Sequence, residues 1–184
     1  KPGDLAQGAG ACAGSCPGSM PRKLRVLAPG SLAEGSSGHG LPAQASGQRL
    51  SPEAEKPVTT DAPSRLAHWP VQLALLPPAG PMWQGADVLI AADCVPFALP
   101  DFHEKLLRGK SLAVACPKLD DVRPYLEKLT RVFASNDVRS VTVAHMEVPC
   151  CWGIVQVVRK ALEDSGRRDI PLHDITVAVG GSIL

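Results

Sequence analysis

The stretch Val138 to Gly166, VRSVTVAHMEVPCCWGIVQVVRKALEDSG, changes its hydrophobic period from two to 3.6 at one point, Pro149-Cys150-Cys151. Ahead of that point, Val141, Val143 and their small neighbours read as a buried strand. Beyond it, Ile154, Val155, Val158 and Leu162 recur at helical spacing. Gly166 falls just past the last periodic residue and supplies a left-handed helix stop. A strand that feeds a helix in this way is half of a βαβ module. It calls for a partner strand running parallel, and it sets two thiols at the start of a helix.

The rest of the chain supplies such partners. Val71 to Leu76, VQLALL, ends at Pro77-Pro78 and is expected to be the first strand; Ala86 to Asp93, ADVLIAAD, is a continuous apolar second. Pro100 and Asp101 open a short helix, DFHEKLLR, that Gly109 closes. Ser111 to Cys116 reads as the third strand. Asp120 and Asp121 are expected to cap a helix whose apolar stripe is Val122, Tyr125, Leu126, Leu129, Val132 and Phe133, ending near Asn136. Ile175 to Val179 makes the last strand. This alternation predicts an α/β fold of Rossmann-like type, with three layers and a mostly parallel sheet carrying helices on both faces.

That domain is placed at 67–184. Much of the proline and glycine lies before residue 82, and residues 28–66 show neither hydrophobic period, so they are expected to be a disordered linker. Residues 1–27 form a cysteine-containing arm. The chain starts at Lys1 in place of Met, which leaves room for an upstream segment. Nothing in the formal net charge of +1, and no basic run interleaved with aromatics, suggests a nucleic-acid surface. No apolar run reaches the length of a membrane span, and no signal pattern opens the chain, so a soluble, cytoplasmic protein is expected.

Six cysteines in a chain outside the short secreted frameworks point to metal or thiol chemistry ahead of structural disulfides. Cys12 and Cys16 stand in a Gly/Ala/Ser loop with C-x3-C spacing, as compatible with a linker as with a metal-wrapping turn. Cys94 follows the second strand, Cys116 ends the third, and Cys150-Cys151 follow the fourth. In open α/β sheets the loops after the strands share one edge, where ligands collect. Any one of these cysteines reads as core filler. Three at successive βα junctions favour function, because filler has no reason to prefer one edge. Four thiolates, Cys94, Cys116, Cys150 and Cys151, with Cys16 in reserve, match the donor set of an iron-sulfur cluster or of zinc.

Other candidates carry less. His103 reads as a surface residue, His145 as a hydrogen-bonded core residue near Glu147, and His68 and His173 lie away from the junctions. Asp93, Asp120, Asp121 and Glu147 gather near the same edge. No G-x-G-x-x-G after a strand, no P-loop and no G-x-S-x-G elbow is present, so the nucleotide-binding and hydrolase readings lack their parts.

The segments AADCVPFALPDFHEKLLRGK, CPKLDD and VTVAHMEVPCC resemble the C-terminal region of ferredoxin-like 4Fe-4S iron-sulfur proteins of bacteria and archaea, over Cys16 to Leu184 apart from the linker. Members carry an upstream module with two cysteine runs for 4Fe-4S clusters, and this chain has no C-x2-C-x2-C-x3-C-P run. Cys16, with Pro17 and Gly18, stands where the family joins its ferredoxin part to the rest. The resemblance implies an iron-sulfur cofactor and a redox protein partner. Two other readings stay open. One is a zinc or thiol enzyme in which Cys150 is ligand or nucleophile. The other is a docking module without chemistry of its own.

Overall fold

A computed structural model of the chain describes residues 63–184 and the strand Arg22–Lys23, which pairs antiparallel with His68–Trp69. Cys12, Cys16 and His39 lie outside the described residues, as does the segment 28–66 up to residue 62.

Four strands make the main sheet: β1 (Ala86–Ala92), β2 (Lys110–Ala115), β3 (Val138–Met146) and β4 (Leu172–Val177). Their order is β2-β1-β3-β4, and every neighbouring pair is parallel. Strand alternation divides β1 between two cores. Val88 and Ile90 meet the face covered by α1 (Val122–Ser135) and α2 (Trp152–Ser165), where Leu129, Phe133, Val158 and Leu162 pack. Leu89 and Ala91 meet the opposite face, covered by a short helix, Val95–Ala98, and a π-helical turn, His103–Leu107, through Val95, Leu99, Phe102 and Leu106. Burial on both faces is why β1 has no polar alternation to display.

The turns form where the residues require them. The Asp121 side chain accepts from the Arg123 N–H at 3.0 Å and caps α1. Gly166 closes α2 at φ 74°, and Gly109 turns into β2 at φ 74°, a region that costs any residue with a Cβ.

Several expectations need correction. Val71 to Leu76 is no strand: it makes one parallel bridge, Gln72 to Val114, and then turns, with the Leu75 and Leu76 N–H groups both donating to Gln72 O. That turn buries Leu73 and Leu76 together, a spacing of three that satisfies a helical turn and no extended strand. The last strand starts and ends earlier than expected, at Leu172–Val177. The helix expected over DFHEKLLR shrinks to the π-helical turn, and a separate short helix precedes it. Finally, the end of the expected linker is anchored: the Arg65 guanidinium pairs with Glu104 at 2.5 Å, and the Arg65 backbone N–H donates to His103 Nδ1.

Candidate functional site

The carboxyl ends of β2, β1 and β3 lie side by side, and each is followed by cysteine. β1 leaves over the face of the short helices, whereas β3 leaves into α2 on the other face. Neighbouring strands whose connections diverge in this way leave a crevice between their ends, the place where open α/β sheets hold ligands. Cys94 stands on one side of it, two residues past β1. Cys150 and Cys151 stand on the other, in a 3-10 turn, Pro149–Cys151, that precedes α2.

Cys94 and Cys150 are exposed, and Cys151 is 5% exposed. The Cys151 thiol lies within electrostatic reach of both Cys150 and Cys94. Burial pushes the Cys151 thiol up. A hydrogen bond from the Met146 backbone opposes that shift, and the neighbouring Cys150 and Cys94 add to it. Carrying the spacing of Ile154, Val155, Val158 and Leu162 back toward the turn puts Cys151 at the head of that apolar stripe and buries it, whereas its observed burial has a different origin. Cys151 packs with Ala92, Met146 and Val177, and not in the stripe of Ile154, Val155 and Val158. Nor is Cys150 a residue of α2, whose N-cap is Cys151.

Cys116 has other company. Asp120, read from sequence as a helix cap, ties its own loop: its Oδ2 accepts from the Cys116 N–H at 3.0 Å and from the Tyr125 hydroxyl at 2.7 Å. Burial, then the bond to Asp120 and the nearby charges of Asp120, Asp93 and Cys116, raise the Tyr125 phenol well above its usual range. Asp93 completes the group. Its Oδ1 is buried without a hydrogen-bond partner among the described residues, and burial followed by the Asp120 charge raises its carboxyl.

The Cys116 loop reaches α2 at Gly153, where a Cβ would lie 3.1 Å from Cβ of Pro117. Nothing in the periodicity of the sequence marks Gly153, since it reads as an ordinary helix position. Trp152 was equally silent. Its ring meets His145 edge-on at 6.4 Å. His145 is buried as expected, with Nδ1 2.9 Å from Met146 O and Nε2 3.1 Å from Asp174 Oδ1 and 3.2 Å from Thr176 Oγ1. His103 is exposed, His68 is buried away from the edge, and Glu147 Oε1 accepts from the Val179 N–H at 2.8 Å.

Residues 80–184 match the family of Rossmann-like domains. The chain belongs to that family. A relative of the Rossmann-like domain in Archaeoglobus fulgidus, described as an uncharacterized protein, is 33% identical over 100 residues, which span 54% of this chain and 70% of the relative. No solved structure matches the chain.

The Rossmann-like domain gathers three of the four expected ligands, Cys94, Cys150 and Cys151, around one crevice, with Cys116 beside it among Asp93, Asp120 and Tyr125. Among the described residues, no three of His, Cys, Asp and Glu form a group that could hold a metal ion. Zinc held by four cysteine thiolates needs sulfurs about 3.8 Å apart, from bonds of about 2.3 Å at tetrahedral angles. A single-ion site therefore does not fit the side chains as they stand. Cluster ligands bind separate irons and are spaced more widely.

Proposed function

We propose that this Rossmann-like domain is the thiol-bearing part of an iron-sulfur redox protein. The observation that carries the reading is the placement of Cys116, Cys94 and Cys150-Cys151 after three adjacent parallel strands, with Cys94 and Cys150-Cys151 flanking the crevice. Cysteine has no packing reason to collect at one edge, and soft thiolates are the donors that iron-sulfur clusters take. The ligands would be Cys94, Cys150, Cys151 and Cys116, with Cys16 as the reserve. A cluster bound there supplies one-electron transfer. The chain's own residues supply the setting: Cys151 packs into the same buried cluster as Ala92, Val95, Leu99 and Met146, and Asp120 holds the Cys116 loop by two hydrogen bonds.

A second reading, metal-free thiol chemistry at Cys150, is favoured by the exposure of Cys150 in the turn that precedes α2. Anaerobic purification with iron, sulfide and zinc analysis separates the two. Brown protein with iron and sulfide in near-equal amounts, lost in Cys94→Ala, is the expected result. Colourless protein that takes up neither iron nor sulfide on reconstitution, with freely alkylated thiols, overturns the cluster and leaves the thiol reading.

A further inference from the structure

The segments that leave the carboxyl ends of the four strands, loops and the helical turns that follow them, each expose a large apolar side chain. Phe97 after β1 is 91% exposed, Leu119 after β2 is 82%, Trp152 after β3 is 60% and Val179 after β4 is 66%. Two further exposed residues, Ile183 and Leu184, fold back onto Val177 and Thr176 at the end of β4. Among the described residues only two other large apolar side chains are exposed, Trp69 and Leu75. Exposed apolar residues scattered singly need no explanation, but six gathered at the edge that carries the thiols do.

The charge at this edge is predominantly acidic. The four loops contain Asp93, Asp101, Asp120, Asp121 and Glu147 against Lys118 alone. Asp121 is paired with Arg123 and Asp101 with Lys105, Asp93 and Asp120 are half-buried, and Glu147 is exposed beside the apolar residues. A symmetric dimer through this edge would set carboxylate against carboxylate, and an anionic membrane would repel it. The opposite edge of the sheet carries Arg108, Lys110, Arg139, Arg167 and Arg168, of which Arg108, Arg139 and Arg167 are paired with Glu104, Asp87 and Asp169, and its loops contribute none of the exposed large apolar residues, so a second copy stacked head to tail lacks the matching patch.

We infer that the carboxyl edge, built on Phe97, Leu119, Trp152 and Val179, is a docking surface for a redox protein that presents an apolar patch rimmed by lysine and arginine. Apolar contact supplies the affinity, and the acidic rim steers the encounter and sets orientation. The redox character of the partner rests on the function proposed above, whereas the docking chemistry stands on exposure and charge alone.

Cytochrome c, a basic redox protein whose apolar haem edge is ringed by lysines, serves as the probe. It is titrated at low salt into the 15N-labelled full chain. Amide shifts are expected in residues 93–102, 116–121, 147–153 and 178–184, with binding weakened by added salt. The double variant Phe97→Ser/Leu119→Ser should bind about tenfold more weakly with an unchanged amide spectrum elsewhere. No binding, shifts centred on another surface, or equal affinity of the double variant overturns the inference. So does sedimentation showing a dimer that the double variant loses, or binding to phosphatidylglycerol vesicles that it loses. Iron and sulfide are measured on the same samples. Mapped shifts on iron-free protein keep the docking surface and sink the cluster, and iron-bearing protein with scattered shifts does the reverse.

Discussion

Gly153 and Pro117 meet where the loop after β2 leans on the first turn of α2, close enough that a Cβ on Gly153 would stand 3.1 Å from that of Pro117. The contact brings the Cys116 loop beside the turn that carries Cys150 and Cys151. The absence of a side chain at one helical position is thus what lets two thiol-bearing loops share an edge.

Gly153→Val should therefore cost about 1–3 kcal/mol, the usual range for overpacking, and push the Pro117 loop outward. Chemical denaturation reads the first effect. Alkylation followed by mass spectrometry reads the second, as faster labelling of Cys116. A variant of parental stability and labelling would show that the two loops are independent.

Cys150 and Cys94 should be alkylated well before Cys151 at neutral pH, because they are exposed while burial both shields the Cys151 sulfur and disfavours its thiolate. Raising the pH should narrow the gap. Mass spectrometry of the apo-protein over time decides the order, and early modification of Cys151 would contradict the packing described for it.

Tyr125→Phe should lower stability by about 1 kcal/mol, since it removes one hydrogen bond to Asp120 and leaves the carboxylate its Cys116 N–H. Asp120→Ala removes both bonds and should free the Cys116 loop as well. Faster hydrogen exchange at the Cys116 amide in Asp120→Ala, but not in Tyr125→Phe, would distinguish the two roles.

His68 predicts how stability changes with pH. It is buried, with Nδ1 3.1 Å from Pro70 O and Nε2 accepting from the Leu112 N–H at 3.1 Å, an arrangement that suits the neutral ring. Burial lowers its pKa below 6.5, against a smaller opposing effect of the Pro70 bond. The unfolded chain therefore takes up the proton first as pH falls. The contribution of His68 is complete above about pH 6.5 and is lost as pH drops through the lowered folded value. Urea midpoints measured from pH 8 to pH 5 should decline, and His68→Gln should flatten the decline while lowering stability at pH 8. Parallel curves for parent and variant would refute the assignment.

The periodicities of the chain determined by themselves that this is an α/β domain with a parallel sheet, because burial on both faces of β1 and on one face of α1 and α2 writes directly into residue order. Caps at Asp121 and Gly166 were equally legible, since each is a local matter of one side chain or one φ angle. So was the placement of the cysteines after strands. VQLALL misled, because a short apolar run does not distinguish a strand from a turn that buries residues three apart. The strand order β2-β1-β3-β4, which brings Cys94 beside Cys150 and Cys151, came only with the tertiary structure, as did the distinct surroundings of Cys116. These features depend on contacts between residues tens of positions apart: Pro117 against Gly153, Asp93 beside Asp120, and Phe97, Leu119, Trp152 and Val179 at one edge. Chain folding sets such distances through packing between elements, and no local pattern of residues encodes them.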